Sequence, residues 1–220
     1  MKNSRDRIYV ALLVLIFGSY QVMAQVTDNG QSEIVQFEDA ESWMQNYDAQ
    51  FSEEIRGHLY GEKALYQLLE ETDVTAVKIY NAEDQEGQRK LVFQGIGTDA
   101  SEVGLAFDVS RACPPVCGGG GLAIAEIGAP ISPAQAQMMI SQFALSNPES
   151  PSSYTFDATS LRQVLEQPQC EGLFLAYGVD GQTNPQLILI GLSAEGELLK
   201  EGDIIANPQV GYSSLLTVQN

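Results

Sequence analysis

The sequence predicts an α+β fold built by tandem duplication of a helix-helix-strand-strand module, with the two copies related by a pseudo-two-fold axis. Three observations carry this. First, sliding the chain on itself by 96 residues superposes 35–99 on 131–195 without a gap. Trp43, Met44 and Tyr47 fall on Met139, Ile140 and Phe143, and Leu65, Leu68 and Leu69 on Leu161, Val164 and Leu165. Leu91, Val92, Phe93 and Gly95 meet Leu187, Ile188, Leu189 and Gly191. Identities are few, but the apolar classes agree through two helices and two strands. Second, within each copy helical spacing gives way to short apolar runs bounded by acidic, Gly-containing turns. Third, 44% hydrophobic and 18% charged residues in a chain of 220 is a globular composition, not a disordered or collagen-like one.

The elements follow in order. Residues 1–24 read as a signal peptide: Lys2, Arg5 and Arg7 precede an apolar run from Ile8 to Phe17, and Val22 and Ala24 put small residues at the cleavage positions. Ser19, Tyr20 and Gln21 end the run short of the roughly 20 apolar residues a bilayer span requires. Module 1 occupies 25–117, with a helix at about 38–50, a loop, a second helix after Gly61, and strands near 74–81 and 89–96 joined across Glu83 to Gly87. A connection over 118–130 contains Gly118 to Gly121, four consecutive residues without a side chain to pack, and then Leu122 to Ile127, which reads as a short strand. Module 2 occupies 131–220. Ser132-Pro133-Ala134-Gln135 opens its first helix as N-cap, first-turn Pro and capping-box Gln, and the second helix follows Asp157. Its strands lie near 171–177 and 185–193, joined at Asp180-Gly181. Allowing a change of two residues in length, Ala112 to Cys117 then aligns with Ala206 to Gly211, which gives both copies a Pro-bearing tail.

Gln167-Pro168-Gln169-Cys170-Glu171-Gly172-Leu173 with Tyr177-Gly178, together with the Cys113-Pro114-Pro115-Val116-Cys117 run, resembles a group of exported proteins from Bacteroidetes bacteria. Their small modules share the order helix, helix, hairpin and a terminal Cys-Pro-Pro-x-Cys-like run. The resemblance implies a compartment and a module and carries no activity with it.

Candidate chemistry is sparse. In the tail alignment Cys113 and Cys117 are replaced together, by Asn207 and Gly211, which is how a bonded pair behaves. A local disulfide is the expectation, free thiols the alternative. A redox-active dithiol would need a lowered thiol pKa, usually at a helix N-terminus, and glycines follow instead. Cys170 aligns with Val74 at the start of a strand and reads as a small buried hydrophobe. Three cysteines and His58 could form one Cys₃His zinc tetrahedron, but no local spacing pairs them. His58, the sole histidine, aligns with Tyr154 and is expected as an aromatic in a half-exposed loop, and no hydrolytic motif surrounds it. Gly95 to Ala100 matches G-x-G-x-x-A, although Ser101 to Val109 does not read as the helix a dinucleotide site needs. Glu53-Glu54, Glu70-Glu71 and Glu83-Asp84 read as solvated faces, and Asn81 to Gly87 does not keep a calcium-loop register.

With 29 acids against 11 bases, a net charge of −18, the chain has no basic surface for nucleic acid or anionic membrane. Loss of residues 1–24 would leave 8 bases against 28 acids, a net −20. The expected protein is an exported, acidic, non-catalytic binding or structural module, periplasmic or extracellular. It would have no cofactor and no membrane span after cleavage, and would act on a protein or small ligand outside the cytoplasm. The alternative is a thiol-disulfide or metal-dependent protein using Cys113 and Cys117. N-terminal sequencing of the exported protein should begin at Gln25; intact Met1 in a membrane fraction would contradict the signal reading.

Overall fold

Two apolar helix pairs and two apolar hairpins need a common core, and the computed structural model assembles them as a mixed α+β structure. It describes residues 32–52, 54–71, 73–108, 111–114, 123–207 and 210–212. The signal segment, the Gly118 to Gly121 run and Cys117 lie outside the described residues. The first half runs β1 (Glu33–Val35), α1 (Phe37–Gln50), β2 (Gly57–Gly61), α2 (Glu62–Leu69), β3 (Ala76–Glu83), β4 (Arg89–Ile96), β5 (Glu102–Asp108) and β6 (Arg111–Cys113). A 3-10 turn at Ile124–Glu126 precedes β7 (Ala129–Ile131), α3 (Pro133–Ser146), β8 (Pro151–Asp157), α4 (Ala158–Leu165), β9 (Gly172–Val179), β10 (Pro185–Leu192), β11 (Ile204–Asn207) and β12 (Val210–Tyr212). Both bounds of β1, α1, α2, β3 and β4 recur 96 residues on, in β7, α3, α4, β9 and β10.

Local chemistry sets the element ends. Ser132 Oγ accepts from Gln135 N at 3.2 Å, and Asp157 Oδ1 accepts from Ser160 N at 2.7 Å, so α3 and α4 carry side-chain N-caps. In the hairpin turns Asp84 Oδ1 accepts from the amides of Glu86 and Gln88, and Asp180 Oδ1 from those of Gln182 and Asn184. Arg162 of α4 donates to the Leu69 carbonyl at the end of α2, which places a cation on a helix C-terminus and ties the two halves together.

The strands form two antiparallel six-stranded sheets among the described residues, in the orders β1-β11-β10-β9-β2-β6 and β12-β8-β3-β4-β5-β7. Neither half forms a sheet of its own. The first half lays β1, β2 and β6 in one sheet and its β3-β4-β5 meander in the other; the second half does the reverse. Each short helix, α2 or α4, carries the chain across from one sheet to the other. Leu65, Leu68 and Leu69 of α2 and Leu161, Val164 and Leu165 of α4 lie in the central core between the sheets, with Phe93, Phe107 and Phe156 from one and Leu173, Leu175 and Leu189 from the other. α1 covers the outer face of the first sheet through Ala40, Trp43 and Met44, and α3 covers the second through Ala136, Met139 and Ile140.

Three expectations are corrected. The stretch between the helices of each half is a strand, β2 or β8, not a loop. β2 escapes a sequence reading because Gly57 and Gly61 flank it, and both are required by close approach: a Cβ at Gly57 would run into the Leu175 carbonyl, and one at Gly61 into that of Ile124. Leu122 to Ile127 holds the 3-10 turn, and the strand comes later, at β7. In the tail, Cys113 faces Gly57 and Gly211 faces Ser153. Gly57 and Ser153 stand 96 apart, so Cys113 corresponds to Gly211, while Asn207 belongs to β11 beside β10. The chain before β11 is two residues longer than that before β5, not shorter, and the expected alignment of Cys113 with Asn207 and of Cys117 with Gly211 falls away.

Leu69 and Leu165 are each 2% exposed in the same core. Leu→Ala at either should cost about 2–5 kcal/mol in denaturant melts. Near-zero loss at one of them would break their equivalence.

Candidate functional site

Polar side chains inside an apolar core need partners, and the central core holds a cluster of them where the hairpins of the two halves meet. Tyr177 of β9 donates its hydroxyl to Asn81 Oδ1 of β3 at 2.8 Å. These residues stand 96 apart, so equivalent positions of the two halves bond to each other. Asn81 Nδ2 in turn donates to the Pro151 carbonyl at 2.9 Å. The ring of Tyr47 stacks on Tyr177 with centroids 5.5 Å apart, and His58 meets Tyr177 edge-on at 6.1 Å. Burial pushes the Tyr47 hydroxyl up to about 12 and holds Tyr154 and Tyr177 well above the ordinary range. Burial, helped by Lys90 and Arg89, lowers His58 to about 3. The cluster is therefore uncharged at neutral pH.

Beside it opens a cavity of about 460 Å³. One wall is the end of α1 and the residue after it, with Tyr47, Gln50 and Phe51. A second wall is the β9-β10 hairpin, with Val179, Thr183, Pro185 and Gln186, and the floor carries Asn81, Tyr154 and Tyr177. Glu149, Ser150 and Pro151 close the side toward β8. Phe51 and Tyr212 stand at the rim, 44% and 57% exposed. Arg89 reaches in from β4, 3.3 Å from Glu54 Oε2, with its guanidinium carbon 5.6 Å from the centroid of the Phe143 ring. Gln186 is 3% exposed; its amide donates to Asp180 Oδ2 at 3.2 Å, and its Oε1 has no hydrogen-bond partner among the described residues. Because Asp180 Oδ2 accepts, the NH₂ must face it, so the orientation of this amide is fixed.

The site residues expected from sequence lie elsewhere. Cys113 is buried on the outer face of the first sheet, beside a second cavity of about 260 Å³ that Met44, Leu59, Phe174 and Leu198 make apolar and the Asp48–Arg56 ion pair rims. Cys117 lies outside the described residues, so its pairing with Cys113 stays a proposal. Cys170 is a free, buried thiol in the central core; its Sγ–H reaches the Gly172 carbonyl at 3.2 Å, and burial raises its pKa. His58 corrects its expectation: it is a fully buried residue of β2, between β9 and β6, and not a loop aromatic. The G-x-G-x-x-A stretch ends β4 in a turn held by Asp99, whose Oδ1 accepts from Ser101 N at 3.0 Å, and β5 follows where a dinucleotide site would have a helix. Among the described residues no group of three or more His, Cys, Asp or Glu is placed to hold a metal, and no helix is long and apolar enough to cross a membrane.

The residues that line this cavity were not grouped as a site from sequence: Glu54 read as a solvated carboxylate, Asn81 as part of a turn without a calcium register, and Tyr177 as part of a short motif. Their signal lay in the alignment, at positions where the halves differ sharply: Asn81 against Tyr177, Arg89 against Pro185, Glu54 against Ser150. No family model, no curated protein and no solved structure matches this chain.

His58 sets a pH dependence. Below pH 6.5 the unfolded chain protonates this imidazole, whereas the folded protein holds it neutral down to about 3, so its contribution is present above 6.5 and is lost as pH falls through that window. The loss is about 1.4 kcal/mol per pH unit. Urea melts from pH 7 to pH 4 should fall less steeply for His58→Phe than for wild type. Parallel slopes would show that His58 takes up its proton in the folded state.

Proposed function

We propose that this chain is an exported, non-catalytic binding module formed by a tandem duplication, and that its ligand site is the cavity beside the Asn81–Tyr177 pair. The single observation that carries the reading is that cavity: one open-mouthed space between the halves where aromatic rings, an arginine, carboxylates and a buried amide converge. Matching element bounds and mirrored strand orders support the duplication, and the Asn81–Tyr177 bond beside the cavity joins positions 96 residues apart.

Binding rather than turnover is favoured by the protonation states. The tyrosines are pushed upward, His58 is neutral and enclosed, and Arg89 is paired with Glu54, so the cavity wall offers neither an activated nucleophile nor a base poised near neutrality. The basic signal-like start supports export, and an exported setting suits a Cys113–Cys117 disulfide as a structural link.

Native mass spectrometry tests the site. The exported protein, incubated with a small-molecule extract of the producing cell's envelope, should retain a ligand that is released unchanged. Ser150→Trp, which fills the cavity from its edge, should melt within about 2 °C of wild type, as surface changes do, and retain none. Equal retention by both proteins, no retention by wild type, or recovery of a converted product would overturn the reading.

A further inference from the structure

We infer that the outer face of α3 is a self-association surface, on which a second copy of this chain lays its own α3 antiparallel across a two-fold axis. The first observation is charge. No charged residue stands between Glu126 and Glu149, and α3 is the one helix among the described residues without an acid or a base. Its counterpart α1, 96 residues earlier, carries Glu38, Asp39, Glu41 and Asp48. At a net charge of −18, two copies repel wherever their carboxylates face each other, and a surface without charge is where they can approach. The carboxylate that α3 bonds, Glu83 of β3, lies on its flank, where Gln142 and Ser146 donate to Oε1 at 3.4 and 3.3 Å.

The second observation is what the face presents instead. Ala136, Met139, Phe143 and Ala144 are buried against the body of the protein. Ala134, Met138, Ser141 and Leu145 follow one another at steps of four, three and four, which sets them in one stripe on the opposite side of the helix. Leu145 is 73% exposed, more than any other large apolar side chain among the described residues, and Met138 is 46% exposed. The counterparts on α1 are Glu38, Ser42, Gln45 and Ala49, with no large apolar side chain among them. Two helices in equivalent places therefore differ in the face they turn outward.

Order along the stripe selects the occupant. Run antiparallel about a point midway between Met139 and Ile140, two copies set Leu145 against the partner's Ala134 and Met138 against the partner's Ser141. Large meets small at every level, as a two-fold contact requires of one patch used twice. Parallel helices would set Leu145 against Leu145 and Ala134 against Ala134. Gln135, Gln137 and Gln142 flank the stripe with amides that both donate and accept, so like can bond like along the rim. The 14 residues of α3 span only about 21 Å, so the contact is small and the dimer is a weak one.

Sedimentation equilibrium of the exported protein tests this. A monomer–dimer equilibrium with a dissociation constant of about 10–100 μM is expected, tightening about threefold or more from about 0.05 to about 0.5 M NaCl as the like charges are screened. Met138→Glu and Leu145→Glu, both at exposed positions, should each melt within about 2 °C of wild type and weaken the dimer at least about tenfold. Ser42→Glu, which adds the same charge at the matching place on α1, should leave it unchanged to within about twofold. Orientation is read by mixing Met138→Cys with Ser141→Cys: oxidation should link the mixture at least about fivefold faster than either variant alone. A monomer at every concentration, a dimer that both glutamate variants leave unchanged, or one that weakens with salt would overturn the inference. Equal linking in the mixture and in the single variants would refute the antiparallel two-fold arrangement. Retention of the monomer on phosphatidylcholine vesicles, lost in Leu145→Glu, would assign the face to a lipid surface and overturn the second copy as its occupant.

Discussion

Each half of the chain surrenders its hairpin to the other half's sheet, and the rest of the structure depends on that exchange. β3 and β4 pair with each other, but their neighbour on one side is β8 of the second half; β9 and β10 likewise depend on β2 of the first. The inner faces that bury Leu91, Phe93, Leu187 and Leu189 therefore exist only when both halves are present. Hydrophobic burial is the dominant favourable term in folding, so a half on its own would expose one whole side of its hairpin. The short helices sit where the chain changes sheets, and their i, i+3, i+4 leucine stripes close the core at that crossing. The bond from Arg162 to the Leu69 carbonyl adds a polar tie at the same place.

Equal residues hold this architecture, and unequal ones surround its cavity. Asp84 and Asp180 organise both hairpin turns through the same backbone amides, and Leu69 and Leu165 fill matching core positions. Around the Asn81–Tyr177 bond the halves diverge instead: His58 stands against Tyr154, Arg89 against Pro185, Lys90 against Gln186. Asn81 and Tyr177 cannot be made identical without loss. Two tyrosines would crowd one space and two asparagines would leave a void, whereas the unlike pair satisfies a hydroxyl donor with an amide acceptor inside the core. An open cavity, set to one side of that bond, lies where the halves diverge.

Much of this was legible in the sequence, for reasons that can be named. α3 announces itself through Ser132, Pro133 and Gln135, and the hairpins through apolar runs broken by acidic turns. β2 and β8 did not, because three residues between two glycines and a Pro- and Ser-rich stretch carry no period of their own; the pairing with β9 and β3 makes them strands. The tail misled because Ala-x-Pro recurs by composition, whereas register, which places Cys113 opposite Gly57, is decided by neighbours the sequence does not show. The cavity was illegible for a similar reason. Its residues come from α1, β4, β10 and the approach to β8, and each is unremarkable where it stands in the chain.

The protonation states of the central cluster bear on what its cavity can distinguish. Desolvation moves His58 downward and Tyr47, Tyr154 and Tyr177 upward, in each case toward the neutral form. Between roughly pH 5 and pH 9 none of these groups changes charge, since His58 is held below that window and the tyrosines above it. The charged side chains at the cavity wall are Arg89, Glu54 and Glu149. The floor beneath them is neutral and hydrogen-bonded, with Tyr177 donating to Asn81 and Asn81 to the Pro151 carbonyl.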